Sequence, residues 1–188
     1  SYNTSVGEAS LSANTTGANN TAVGRYALVA NTTGSENQAF GVSALSNNTT
    51  GSDNTAIGRL TLRDATTAIG NTAVGEGAGA LMTTGSKNTL IGRYTGNSNG
   101  LDIRTTSNNI VLSDGDGVPR AFYHGGSSSP IWYLNGPSSN QWAVQLQNIS
   151  TGNPYGLSVR TPNAATNSTA TQFLDCRDSS AQKFIVYS

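Results

Sequence analysis

One five-residue phrase recurs in this chain every 17 residues, and that period limits the possible folds more than any other feature of the sequence. NTSVG starts at Asn3, NTAVG at Asn20, NQAFG at Asn37, NTAIG at Asn54, NTAVG at Asn71 and NTLIG at Asn88, without an insertion between them. Counted from the Asn, position four is bulky and apolar (Val6, Val23, Phe40, Ile57, Val74, Ile91) and position five is Gly (Gly7, Gly24, Gly41, Gly58, Gly75, Gly92). Leu holds position nine in four coils, at Leu11, Leu28, Leu45 and Leu62. Thr holds positions thirteen and fourteen in five coils, from Thr15 and Thr16 to Thr83 and Thr84.

A helical repeat needs an apolar stripe at 3.6 spacing and few glycines, whereas these coils are β-branched, short and punctuated by Gly. A disordered polar tract has no reason to keep one apolar residue and one Gly in phase. A hexapeptide β-helix would carry an apolar mark every six residues, and 17 is not a multiple of six. The fitting unit is a coil of two short strands and two turns, stacked on its neighbour at about 4.8 Å. Asn at position one then stacks from coil to coil and caps a turn. Ala at position three (Ala22, Ala39, Ala56, Ala73) lies on the strand face opposite position four. This reading buries position four with Leu of position nine and leaves an Ala/Gly wall for close packing against another subunit, as in a three-fold bundle.

Composition excludes several functions. Charged residues make up 11% of the chain, ten basic against ten acidic, so it offers no electrostatic footprint for nucleic acid or an anionic membrane. Its 21 Asn, 24 Thr and 23 Ser give a neutral surface of amides and hydroxyls. Cys176 is the single cysteine, which leaves no intrachain disulfide framework and no Cys-based zinc site. No stretch approaches 18 apolar residues. Neither a cofactor nor a metal is expected: Asp114 and Asp116 in SDGDG lack the further oxygens and Glu of a calcium loop and read as a tight turn.

The NTAVG…NTTG pattern over residues 3 to 104 resembles the head repeats of trimeric autotransporter adhesins of the YadA type, and still more the 17-residue repeats of bacteriophage tail fibres. SNNIVLSDGDG, from Ser107 to Gly117, resembles the segment that closes such repeats in fibres with a self-cleaving chaperone of the endosialidase type. FLDCRDSSAQKFIVYS, from Phe173 to Ser188, resembles the stem preceding that chaperone, whose own sequence is not among these 188 residues. The resemblance implies an all-β homotrimer. Each subunit would form a left-handed parallel β-roll over 1–106, a closing segment over 107–117 and an intertwined β stem over 118–188. Two departures from the repeat, DATTAIG in the fourth coil and TGNSNGLDIR in the sixth, predict that stacking loosens near residues 64 to 70 and stops near 95.

Beyond Val118 the phase is lost. WAVQLQNIS, GLSVRT, TQFLDCRD and KFIVYS read as half-buried strands. Phe122, Tyr123, Trp132, Tyr133 and Trp142 gather five of the chain's 13 aromatics. Tyr123, His124, Trp132, Tyr133 and Trp142 are the candidate receptor-binding residues, since flat rings with polar handles suit carbohydrate stacking or a protein contact. The competing reading puts these rings in the trimer interior. His124 has no companion Cys, and no Ser/His/Asp grouping rises above chance, so no catalytic residue is expected.

The expected function is a structural and adhesive fibre segment, extracellular in a virion, contacting host surface polysaccharide or protein and other tail proteins. The alternatives are a bacterial adhesin head, a depolymerase tail spike and an ice-binding solenoid. The last is weak because adjacent Thr side chains point to opposite faces and leave one outward ladder.

Overall fold

The computed structural model describes residues 2–125 and the backbone of 132–134; the other expected strands, the stem beyond residue 134 and Trp142 lie outside the described residues. Among the described residues the fold is all-β, a parallel solenoid in which each coil contributes one three-residue strand. The strands are β1 (Thr4–Val6), β2 (Thr21–Val23), β3 (Gln38–Phe40), β4 (Thr55–Ile57), β5 (Thr72–Val74) and β6 (Thr89–Ile91). They pair in parallel and in strict register, Thr4 on Thr21 on Gln38 on Thr55 and Val6 on Val23 on Phe40 on Ile57. Equal coil length is what allows this, because an extra residue keeps the next strand in register only if it is looped out of the coil.

The expected second strand is replaced by turns. Positions seven and nine both take left-handed backbone, as at Tyr26 (φ 60°) and Leu28 (φ 51°), so this side corkscrews instead of extending. A non-Gly residue pays about 1–2 kcal/mol for that conformation. Burying the Leu side chain gains about 1.5–3 kcal/mol, and Leu28, Leu45 and Leu62 are fully buried, so burial wins. Backbone pairing continues here in both directions: the Tyr26 amide donates back to Glu8 O at 2.9 Å and the Leu28 amide donates forward to Ala44 O at 3.0 Å.

The interior corrects the face assignment made from sequence. Ala22, Ala39, Ala56 and Ala73 are buried inside the coil, not on an outer wall, and they pack with Ala27, Ala44 and the Leu column. Position four faces outward. The coil is thin enough that a methyl fills the space between the strand and the Leu side, and alternation along the strand then forces the bulky neighbour out. The fifth coil shows the same volume rule in reverse: Gly79 stands where the first four coils have Leu, and a Cβ there would lie 2.7 Å from Leu62 Cδ2. Leu90, in place of Ala at position three, and Met82 are both buried there.

Asn stacking is as expected and continuous. The Asn20 amide donates to Asn3 Oδ1 at 2.8 Å, and the same bond recurs at Asn37, Asn54, Asn71, Asn88 and Asn109. From Asn3 to Asn88 each side-chain amide also reaches a carbonyl across its own coil, as Asn37 Nδ2 does to Gly51 O at 2.8 Å. A second ladder at position twelve runs from Asn14 through Asn31 to Asn48. It ends because position twelve of the next coil is Ala65, and Asn48 Oδ1 is left buried without a partner.

Ala65 and Ala68 belong together. In the first three coils Asn at position twelve faces Gly at position fifteen, and a Cβ on Gly51 would come within 2.4 Å of Asn48 Oδ1. Ala68 carries that Cβ, so an Asn at 65 has no room. Ala65→Asn alone should therefore lower stability, whereas Ala65→Asn with Ala68→Gly should recover most of that loss, because the new amide can donate to Asn48 Oδ1 but finds Met82, and no donor, at position twelve of the following coil. Thermal melts of the two single variants and the double variant test this; additive effects would show that the two positions do not communicate.

Backbone stacking neither loosens near 64–70, where only the position-twelve Asn ladder ends, nor stops near 95. The Asp64 amide donates to Ala80 O at 3.1 Å and the Thr66 amide to Thr83 O at 3.0 Å. The sixth coil takes 21 residues instead of 17, and Asn109 restarts the phase on Asn88. The extra length is a hairpin of β7 (Asn97–Ser98) and β8 (Leu101–Asp102), anchored by buried Leu101, Ile103 and Tyr94, whose hydroxyl donates to Leu101 O at 2.6 Å. After it β9 (Ile110–Ser113) joins β6 in parallel, and the chain reverses into β10 (Pro119–Tyr123) and then β11 (Trp132–Leu134), both antiparallel. Asp114 closes the SDGDG turn by accepting from the amides of Asp116 and Val118 and from Arg120. Those donors, the Val118 amide foremost, hold its carboxyl below the usual range.

Candidate functional site

The most unusual surface is the outward strand face. Val6, Phe40, Ile57, Val74, Ile91 and Leu112 are 36 to 57% exposed, with Val23 half-buried among them, and parallel register stacks them one per rung. Seven rungs at about 4.8 Å make an apolar stripe nearly 30 Å long. Scattered exposed apolar residues need no explanation, but a contiguous file of this kind does.

Beside it runs position two, Thr4, Thr21, Gln38, Thr55, Thr72 and Thr89, on the same face of each strand. Position six forms the other border with charges that alternate in part: Arg25 approaches Glu8 at 4.0 Å and Arg59 approaches Glu76 at 2.5 Å. These are exposed pairs, worth little to stability, and they hold the border close to neutral. The Arg59 guanidinium keeps the Glu76 carboxyl below its ordinary range.

The two Thr columns behave differently. Position thirteen spends its hydroxyl inside the stack, as Thr32 Oγ1 donates to Thr49 O at 3.0 Å and Thr49 Oγ1 to Thr66 O at 3.1 Å. Position fourteen, with Thr16, Thr33, Thr50, Thr67 and Thr84, is exposed.

Of the residues singled out from sequence, the glycines of position five and the asparagines of position one are scaffold. Gly7 to Gly92 let successive backbones approach, and Asn3 to Asn88 form the polar spine. Tyr123 ends β10 and His124 follows it, both half-buried. The backbone register of β10 and β11 sets Trp132 opposite Tyr123 and Tyr133 opposite Phe122, and Phe122 packs on the core. Trp142 lies outside the described residues. Sequence reading placed the apolar stripe inside the coil and so missed it as a surface; the signal was present, because Ala and a bulky residue alternate on one strand.

Comparison with protein-family models, curated proteins and solved structures returns no match.

Proposed function

We propose that this chain is a segment of a homotrimeric fibre whose subunits meet along the exposed apolar stripe. The stripe is the observation that supports the reading. It is continuous from rung to rung and about one side chain wide, so three copies brought to a common axis would bury it while leaving the other sides of each coil free. Its borders of Thr and paired charges suit the edge of such a contact, since interfaces place polar groups at the rim. A rigid stack of near-identical coils that sets distance, carrying a distinct segment after residue 118, fits an extracellular adhesive element. The repeat's resemblance to bacteriophage tail fibres favours a virion fibre over a bacterial adhesin head. Attachment to host surface polysaccharide or protein, and to other tail proteins, is part of the same proposal.

The Thr-x-Val rows of the strand face favour one competitor, an ice-ordering surface. Gln38 and Phe40 interrupt those rows in the middle of the array, which argues against a regular lattice match.

Sedimentation velocity tests the proposal. A trimer has about three times the 19.3 kDa subunit mass. A monomer of unchanged fold that shows thermal hysteresis would favour the competitor.

A further inference from the structure

Both places where the sequence departs from its repeat meet at one groove. The fourth coil introduces Arg63 and Asp64, and the sixth inserts the β7–β8 hairpin. A recess of about 320 Å³ lies between them, lined by Asp64, Leu81, Thr83, Asp102, Arg104 and Thr105. This volume is at the lower end for a small-molecule site. The groove falls half a coil along the chain from position four, so the proposed trimer contact would leave it open.

Its chemistry is specific. Arg63 grips Asp64 with Nε and Nη2, both at 2.7 Å. Arg104 grips Asp102 in the same forked manner, at 3.0 and 2.8 Å. Each guanidinium holds its partner carboxyl below the ordinary carboxylate range, so both are charged and fixed at neutral pH. Asn47 Nδ2 adds a third donor to Asp64 at 3.2 Å. The result is a set of oriented acceptors with spare lone pairs, guanidinium and hydroxyl donors, and one apolar surface, Leu81, 37% exposed.

That set discriminates among ligand classes. An anion would meet two carboxylates against one lining guanidinium. A metal ion would compete with guanidinium for both carboxylates. An apolar ligand would find only Leu81. Vicinal hydroxyls match best, because each can donate to a carboxylate oxygen and accept from Arg or Thr while the C–H face of the ring lies on Leu81. We propose that this groove binds an uncharged saccharide, which makes a flank of the solenoid, and not only the segment after 118, a receptor contact. The inference deepens the fibre reading by naming the chemical class of what the repeat region would hold.

Saturation-transfer difference NMR on the full 188-residue chain tests it, with trisaccharides of glucose, galactose, mannose and N-acetylglucosamine as probes. At least one should take up saturation on its ring protons, in a titration that saturates in the millimolar range. Asp64→Asn and Arg104→Gln should each weaken that titration about tenfold or more, by removing one oriented partner of a hydroxyl. Thr33→Ala, on the exposed column two coils away, should leave it unchanged. No transfer to any probe, or transfer that both groove variants retain, overturns the proposal. Sedimentation of the same samples separates the two readings: a trimer without transfer removes the groove and leaves the fibre, and a monomer with transfer does the reverse.

Discussion

Gly41→Ala should destabilise the stack by about 4 kcal/mol, a large share of the roughly 5–15 kcal/mol that keeps a chain of ordinary stability folded, and so lower its melting point steeply. Gly41 follows β3 at φ 137°, a backbone conformation open in practice only to Gly. A Cβ there would sit 2.4 Å from Gly58 O and 2.6 Å from Gly58 C, both main-chain atoms. Relief requires the third and fourth coils to part. Parting strains the bonds on either side, from the Gly58 amide to Phe40 O at 2.7 Å and from the Gly41 amide to Val23 O at 2.8 Å. Gly77→Ala is the matched control, with φ 67° and no atom within 4 Å of its Cβ, and other coils hold Ala9, Tyr26, Ser43 and Leu60 at that position. It should cost about 1 kcal/mol. Equal losses in the two variants, read by circular dichroism melts, would show that the close approach of the coils is not what makes Gly41 necessary.

Ile57→Asp should dissociate the proposed trimer while leaving each coil folded. Ile57 is 43% exposed in the subunit and lies on the strand face away from the buried Ala and Leu column, so an Asp there leaves the core packing in place. In the proposed assembly three carboxylates would converge on one axis at the middle of the stripe. Desolvating each without a partner costs roughly 3 kcal/mol or more, which compounds across three subunits to the order of a millionfold in the association constant. Thr50→Asp adds the same charge on an exposed column away from the stripe and should leave the trimer intact. Light scattering reads the mass and circular dichroism reads the fold. A stable Ile57→Asp trimer would mean that the subunits meet elsewhere.

The period, the β class and the Asn spine were legible in the sequence because each depends on spacing alone. Which strand face points inward was not. Alternation puts Ala22 and Val23 on opposite faces, but choosing between them needs the thickness of the coil, and the usual rule of bulk inside fails where Leu28 already fills a narrow interior. The continuation past residue 95 was hidden by four extra residues, although SNNIVLS repeats the outline of SKNTLIG 21 residues earlier. The groove could not be foreseen. Asp64 and Asp102 are two coils apart in sequence, and only the folded hairpin shows that they border the same recess.

The strict nearest-neighbour pairing of the coils has a mechanical consequence. Tension along the stack cannot be shared among rungs, because each coil is bonded only to the one before and the one after it. Rungs would therefore peel one at a time, each releasing roughly 58 Å of extended chain, at a force set by a single rung and not by their number. A stack could gain or lose 17-residue units and change its reach without changing the load at which it yields.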